Sequence, residues 1–351
     1  MPALSVEQKR NLYSDGFLVL KQAVPQRLVR EARRQINIGR SSDGDNANET
    51  QAAVAAMFNL SDVKPLLESG LGVELPEQKS GQVAVLSPSP PAHVISESGH
   101  FRDEIPWHQW QGHLDGLWNG STGALQGADE DDHDFFGPKG TNGVPFCLDD
   151  DGESTYEERC AGQVRGTLTI SGFSCLVGIA VSDQLHDGDG QVGLLKGAHH
   201  AFEKHFQYQR EQGGPLGPDG PGWPRIDHTC PNGKGIRMYP QSVREQMERA
   251  HGSATTPDGR RWPQPTLVKL AAGDAVLVLH ATPHGGSHVS GPDPRMQCYY
   301  RITTEQRAAD HHAALCDHWA DWHGMQQVLA EERSKEAAAV AAAADNSSAK
   351  L

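Results

Sequence analysis

The chain has no long apolar run. None approaches the ~18–20 residues that a bilayer-spanning helix needs, so an integral membrane protein is not expected. Positive charge is also short. Against 45 Asp and Glu there are 31 Lys and Arg, a formal net charge of −14, which argues against a general electrostatic grip on nucleic acid. Cysteine is sparse: six residues, at 147, 160, 175, 230, 298 and 316, with no CxxC pair. They read as reduced thiols of an intracellular protein, since a chain of this length needs no disulfide staples. The opening MPALSVEQKR lacks an apolar h-region, so no secretory signal is expected, and the NxS/T triplets at Asn48, Asn119 and Asn346 read as chance matches.

Several features are present in strength. Hydrophobic residues make up 37% and charged residues 22% of the 351, which places the chain among globular proteins of one large domain or two ordinary ones. The acid is concentrated. Between Asp129 and Glu158 eleven Asp or Glu stand against one Lys, so most of the negative balance is one acidic insert. Histidine is abundant, at 18, a weak pointer to metal chemistry.

The pattern starts helical and turns to strands. Residues 5–12 predict a helix with Ser5 as N-cap, and Gly16 to Leu20 predict a short strand. Pro25 opens a helix with Leu28, Val29, Ala32 and Ile36 on one face. A polar loop follows over 41–50, then a helix over 51–70 ending at Gly70. From residue 81 short β-type runs take over: 82–86, a two-strand run over 167–181 broken near Gly172, then 191–195, 266–270, 275–280 and 296–302. Many short strands with Gly and Pro turns predict a sandwich or barrel, not a parallel βαβ sheet. The division expected is a helical flank over 1–80, a β core over 81–304 and a helical, Ala-rich tail over 305–351. Within the core, 127–162 and 207–265 read as inserts, the second a Gly/Pro-rich candidate lid.

Gly112-His113-Leu114-Asp115-Gly116 is the sharpest motif. On a strand, His113 and Asp115 point the same way and supply two thirds of a 2-His-1-carboxylate metal triad. Alone, the pair is a common match, and a surface turn is its plain alternative. Downstream come Gly273-Asp274, an apolar strand, His284 and then Arg295. His284 is the candidate third ligand. Arg295 follows at the head of the next strand with a fork suited to a carboxylate. Strand parity leaves His280 as an alternative to His284. The latter is preferred because it precedes a Gly-rich turn and sets the spacing to Arg295. His108 has Trp110 at i+2 and is not counted as a ligand. Trp107, Trp110 and Trp118 bracket the motif, as pocket wall or as ordinary core. Gly188, Gly190 and Gly193 spell GxGxxG, but β-type residues follow and no βαβ pattern surrounds them, so a turn into a strand is the expectation.

Taken together these segments resemble the phytanoyl-CoA dioxygenase-like family of Fe(II)/2-oxoglutarate-dependent oxygenases. The resemblance rests on Tyr13 to Leu20 with the helix after Pro25, on Gly112 to Gly116, on Gly190 to His199, and on Gly273-Asp274 through His284 to Arg295. It covers roughly residues 10–40 and 80–302. Lys196 and Ala198 depart from the family's usual Pro and Ser, and the Asn that often follows the distal His is missing.

The resemblance implies a mainly β fold with flanking helices and a double-stranded β-helix core of the jelly-roll type. It implies Fe(II) on His113, Asp115 and His284, 2-oxoglutarate paired with Arg295, and O2 as oxidant. The reaction implied is hydroxylation of a C–H bond in a small organic substrate, lipid-like or a secondary metabolite, with succinate and CO2 as by-products. Asp115 favours hydroxylation over halogenation, because related halogenases leave that position to chloride. The acidic insert speaks against an anionic CoA thioester. Two other readings stay open: a metal-dependent cupin-type isomerase, which needs no cosubstrate, and a non-catalytic β-helix binding or scaffold protein. The cytoplasm is the expected location, with the peroxisome second because the chain ends Ala349-Lys350-Leu351, a relative of the Ser-Lys-Leu address.

Overall fold

The structure is a computed structural model, and it describes residues 2–41, 46–88, 106–110, 112–114, 173–213, 216–217, 220–223, 239–256, 259, 261–309 and 313–348. The acidic insert 127–162, Asp115, Trp118 and the terminal Ala349-Lys350-Leu351 lie outside them.

The N-terminal flank forms for local reasons. Ser5 caps helix α1 (Val6–Asp15) in a capping box with Gln8, satisfying amides that the first turn leaves open. Strand β1 (Phe17–Leu20) follows. Helix α2 (Gln26–Ser41) buries Leu28, Val29, Ala32 and Ile36, the expected face. The single helix expected over 51–70 is two: α3 (Ala47–Asn59) and α4 (Val63–Leu71). The second ends at Gly72, with φ 74°, and not at Gly70. A Cβ at position 70 would lie 3.1 Å from Leu4 and 3.3 Å from Trp322, so that glycine serves close packing inside the helix.

Two antiparallel sheets make the β region. The larger has five strands in the order β1–β8–β3–β10–β2, where β2 is Gln82–Leu86, β3 Cys175–Ala180, β8 Ala275–Leu279 and β10 Arg295–Ile302. The smaller has the order β7–β4–β9, where β4 is Val192–Leu194, β7 Thr266–Leu267 and β9 His284–Gly286. A hairpin of β5 (Ser253–Thr255) and β6 (Arg261–Pro263) stands apart. The segment holding Gly188 and Gly190 turns into β4, as expected, with both glycines at positive φ.

The period-2 alternation of strands decides which face goes where. Cys175, Val177, Ile179, Leu277, Leu279, Cys298 and Tyr300 join one buried cluster with α1 to α4. Leu176, Ala180, Val276 and Val278 point the other way, into a second cluster with Val192 and Leu194 of the small sheet. Strands β3 and β8 of the large sheet are therefore buried on both faces. This explains why they read as continuous apolar runs.

Within 207–265 the described residues form elements where the glycines and prolines suggest a loop. Helix α5 (Ala198–Glu211) runs into it, and helix α6 (Gln241–His251) and the β5–β6 hairpin lie within it. Trp223, Tyr239, Val243 and Met247 join the second core cluster. The tail is helical as expected, with α7 (Glu305–Ala309), two short 3-10 turns and α8 (Gln326–Ser348). Among the described residues no helix is long and apolar enough to cross a membrane.

Candidate metal centre

Strand β8 ends at Leu279, and residues 280–283 turn before β9 begins at His284. That turn resets the side-chain parity and separates the two candidate histidines. His284 heads β9 opposite Leu194 of β4. On its other edge it pairs with His113 in an isolated antiparallel bridge. The His113 amide donates to the His284 carbonyl at 2.7 Å, and the His284 amide donates back at 2.8 Å. Residues opposed in this way project side chains to one face. The two imidazole centroids lie 4.7 Å apart with planes at 53°.

That separation suits a shared ion. A metal–nitrogen bond of about 2.1 Å added to roughly 1.2 Å from ring centre to nitrogen puts two imidazoles at right angles on one metal with centroids about 4.7 Å apart. His284 Nδ1 lies 3.1 Å from the Thr282 carbonyl. With a proton there it donates, which leaves the lone pair on Nε2, and metal-ligating histidines are commonly oriented through such a bond. Asp115, the expected carboxylate, is outside the described residues. Among the described residues no group of three His, Cys, Asp or Glu gathers as a ligand set.

His280 stands elsewhere. Its Nε2 lies 3.3 Å from the Ala314 carbonyl and 3.4 Å from Arg307 Nη1, and its ring meets His318 edge-on at 5.0 Å. Arg307 pairs there with Asp321 at 2.6 Å, both side chains 2% exposed. Ser174 and Thr304 also donate to Asp321. Burial pushes the His199, His280 and His318 rings well below the ordinary histidine range. Neighbouring positive or partly positive groups push the same way: His200 beside His199, Arg307 beside His280, and His280 beside His318. This polar cluster of neutral rings around one ion pair has no counterpart in the sequence reading.

Trp110 settles as core. It is fully buried, and its indole Nε1 donates to the Gly193 carbonyl at 3.0 Å. A Cβ on Gly193 would stand 2.4 Å from the indole, and one on Gly112 only 2.0 Å. These two glycines let the His113 segment lie flat against the small sheet. Tyr239 adds a hydrogen bond from its hydroxyl to the Gly112 carbonyl at 2.7 Å. Just upstream, Trp107, His108 and Gln109 all have φ between 53° and 60°, a left-handed turn that costs non-glycine residues energy. His108 is exposed there and takes no part in the pair.

Arg295 opens β10 and is 3% exposed. It shares a face of that strand with Gln297 and Tyr299, the face opposite Gly178 and Ala180 of β3. Tyr299 packs on the second cluster. Leu194 belongs to the same cluster and directly opposes His284. The histidine pair and Arg295 therefore lie on the inner faces of the two sheets. Among the described residues Arg295 has no carboxylate within ion-pair distance, and its buried Nε has no partner. A buried cation without a counter-ion is costly, so the site fits an anionic ligand.

Asp274 proves structural. Desolvation pushes its carboxyl up, but hydrogen bonds from the Gln22 and Ala271 amides and from Lys21 outweigh this and hold it below its usual value. It ties the β1 end to the turn before β8.

No protein-family model matches the chain, and no curated protein sequence does. Among solved structures, apo HygX from Streptomyces hygroscopicus aligns at 15% identity over 85% of each chain, with a TM-score of 0.40. HygX with nickel and 2-oxoglutarate bound aligns at 14% identity over 86% of this chain and 88% of its own, with a TM-score of 0.40. SnoK, a non-heme alpha-ketoglutarate-dependent carbocyclase from nogalamycin biosynthesis, aligns at 12% identity over 89% of this chain and 90% of its own, with a TM-score of 0.39. At identities and scores this low the likeness decides nothing about the fold, metal or reaction of this chain.

Proposed function

We propose that the chain is an Fe(II)/2-oxoglutarate-dependent oxygenase of the phytanoyl-CoA dioxygenase-like kind, with a double-stranded β-helix core, which hydroxylates a C–H bond of a small organic substrate. The observation that carries this is the mutual bridge between His113 and His284, with the rings 4.7 Å apart and His284 Nδ1 at the Thr282 carbonyl. Strand β9 and the segment around His113, hydrogen-bonded to each other, hold these imidazoles, so little freedom is lost on binding an ion.

The residues divide the work. His113, Asp115 and His284 would hold Fe(II), and three ligands on one side leave positions for cosubstrate and O2. Arg295 would bind the distal carboxylate of 2-oxoglutarate. When bound, iron and 2-oxoglutarate supply an oxidant that places oxygen in a C–H bond while the cosubstrate leaves as succinate and CO2. The chain itself holds and orients. Its bridge fixes the imidazoles, Trp110 and Tyr239 hold the His113 segment against the small sheet, and the second cluster keeps water from the inner faces.

The test is conversion of 2-oxoglutarate to succinate by the full chain with Fe(II) and ascorbate. Arg295→Ala should raise the KM for 2-oxoglutarate by roughly 100-fold, the loss of a buried charge-assisted contact. Absence of 2-oxoglutarate binding and turnover in the unaltered chain would sink the proposal.

A further inference from the structure

Among the described residues two arginines are buried, Arg295 and Arg307, and they are treated differently. Arg307 has Asp321. Arg295 has two neutral side chains from its own strand: its Nη2 donates to Gln297 Oε1 at 2.5 Å and to the Tyr299 hydroxyl. Its guanidinium carbon sits 5.5 Å from the Tyr299 ring centroid. One edge of the fork is thus occupied by acceptors that carry no charge.

Two donors are left over. Arg295 Nε and Gln297 Nε2 are both buried, and neither has a hydrogen-bond partner. Leaving a buried donor unpaired is costly, because its hydration is lost and not replaced. They belong to side chains joined by one hydrogen bond, and a carboxylate brings two oxygens, one for each. Gln297 is itself 0% exposed, and a glycine in the middle of β3 clears its place. A Cβ on Gly178 would stand 2.4 Å from Gln297 Nε2 and 3.1 Å from the Tyr299 ring. Glycine weakens a buried strand, and here the space it leaves is filled by this amide.

We propose that Gln297 and Tyr299 complete the anion site, Tyr299 as a positioning residue for Arg295 and Gln297 as both a positioning and a binding residue. They engage Arg295 Nη2 so that Nε, together with Gln297 Nε2, receives the carboxylate of the cosubstrate. This rests on the 2-oxoglutarate reading above. Neutral acceptors suit the purpose. A carboxylate at position 297 would hold Arg295 equally well but would neutralise it and repel the incoming anion.

Calorimetric binding of 2-oxoglutarate to the Mn(II)-loaded full chain tests this without turnover, and steady-state KM and kcat for 2-oxoglutarate are measured alongside. Gln297→Leu should weaken binding and raise KM about 10- to 100-fold while kcat at saturation stays within about threefold. Gln297→Glu should weaken binding by more than about 100-fold. Tyr299→Phe should cost about 3- to 10-fold. Gly178→Ala should reproduce the Gln297→Leu defect from the opposite strand. If Gln297→Glu and Tyr299→Phe both bind 2-oxoglutarate within twofold of the unaltered chain, the proposal is overturned while the oxygenase reading stands. If the unaltered chain binds none, both fall together.

Discussion

The buried histidines make a strong prediction about acid. His199, His280 and His318 are essentially inaccessible, and burial, reinforced by neighbouring rings and by Arg307, holds each well below the ordinary value. In the unfolded chain each titrates near 6.5. Below that pH the unfolded state takes up protons that the folded state refuses. Stability is therefore full above about pH 6.5 and lost as pH falls. Three such groups remove about 3 kcal/mol between pH 6.5 and 5.5, and then approach about 4 kcal/mol per further pH unit. A typical domain has about 5–15 kcal/mol in all, so the loss of about 5 kcal/mol by pH 5 removes a large share of the stability. Glu203, pushed up by its own burial, works in the opposite sense. Urea unfolding followed by tryptophan fluorescence at pH 7.5, 6.5 and 5.5 measures the slope. Trp319, 5.9 Å from the His199 ring, lies in the cluster as a reporter. His318→Phe keeps the ring shape and removes one proton acceptor. It should cost little at pH 7.5, because neither nitrogen of His318 has a well-formed hydrogen bond, and it should cut the slope by about a third. Equal slopes in the two proteins, or flat stability down to pH 5.5, would refute the reasoning.

Two further outcomes follow from packing and charge. Gly193→Ala drives a methyl into the Trp110 indole and should lower stability by about 1–3 kcal/mol in thermal denaturation, with weaker metal affinity because the His113 segment is displaced. Asp321→Asn leaves Arg307 buried without its counter-ion and should cost about 3–5 kcal/mol in urea unfolding at pH 7.5.

Much of this fold was legible in local pattern. The apolar runs of β8 and β10, the Ser5 cap and the face of α2 follow from period and capping chemistry alone. The choice between His280 and His284 was open to parity, because the turn over 280–283 that separates them has no signature beyond Thr282-Pro283. Helix α6 was hidden by the Gly/Pro-rich stretch preceding it, although Val243 and Met247 lie four apart, one turn along a buried face. The glycines at 178 and 193 answer to neighbours distant in sequence, whereas Gly112 answers to Trp110 two residues before it. No short window could show why the first two are glycine. Gln297 and Tyr299 could have been found by reading β10 from Arg295 at every second residue, the spacing that places all three on one face.

The central claim is that His113 and His284 share one metal ion. Mn(II) titrated calorimetrically into the chelator-treated chain measures it directly, with His113→Ala, His284→Ala and His280→Ala as variants. One ion per chain is expected for the unaltered protein and for His280→Ala, with affinity lowered at least about 10-fold in each of the other two. Undiminished binding by either His113→Ala or His284→Ala would contradict the account.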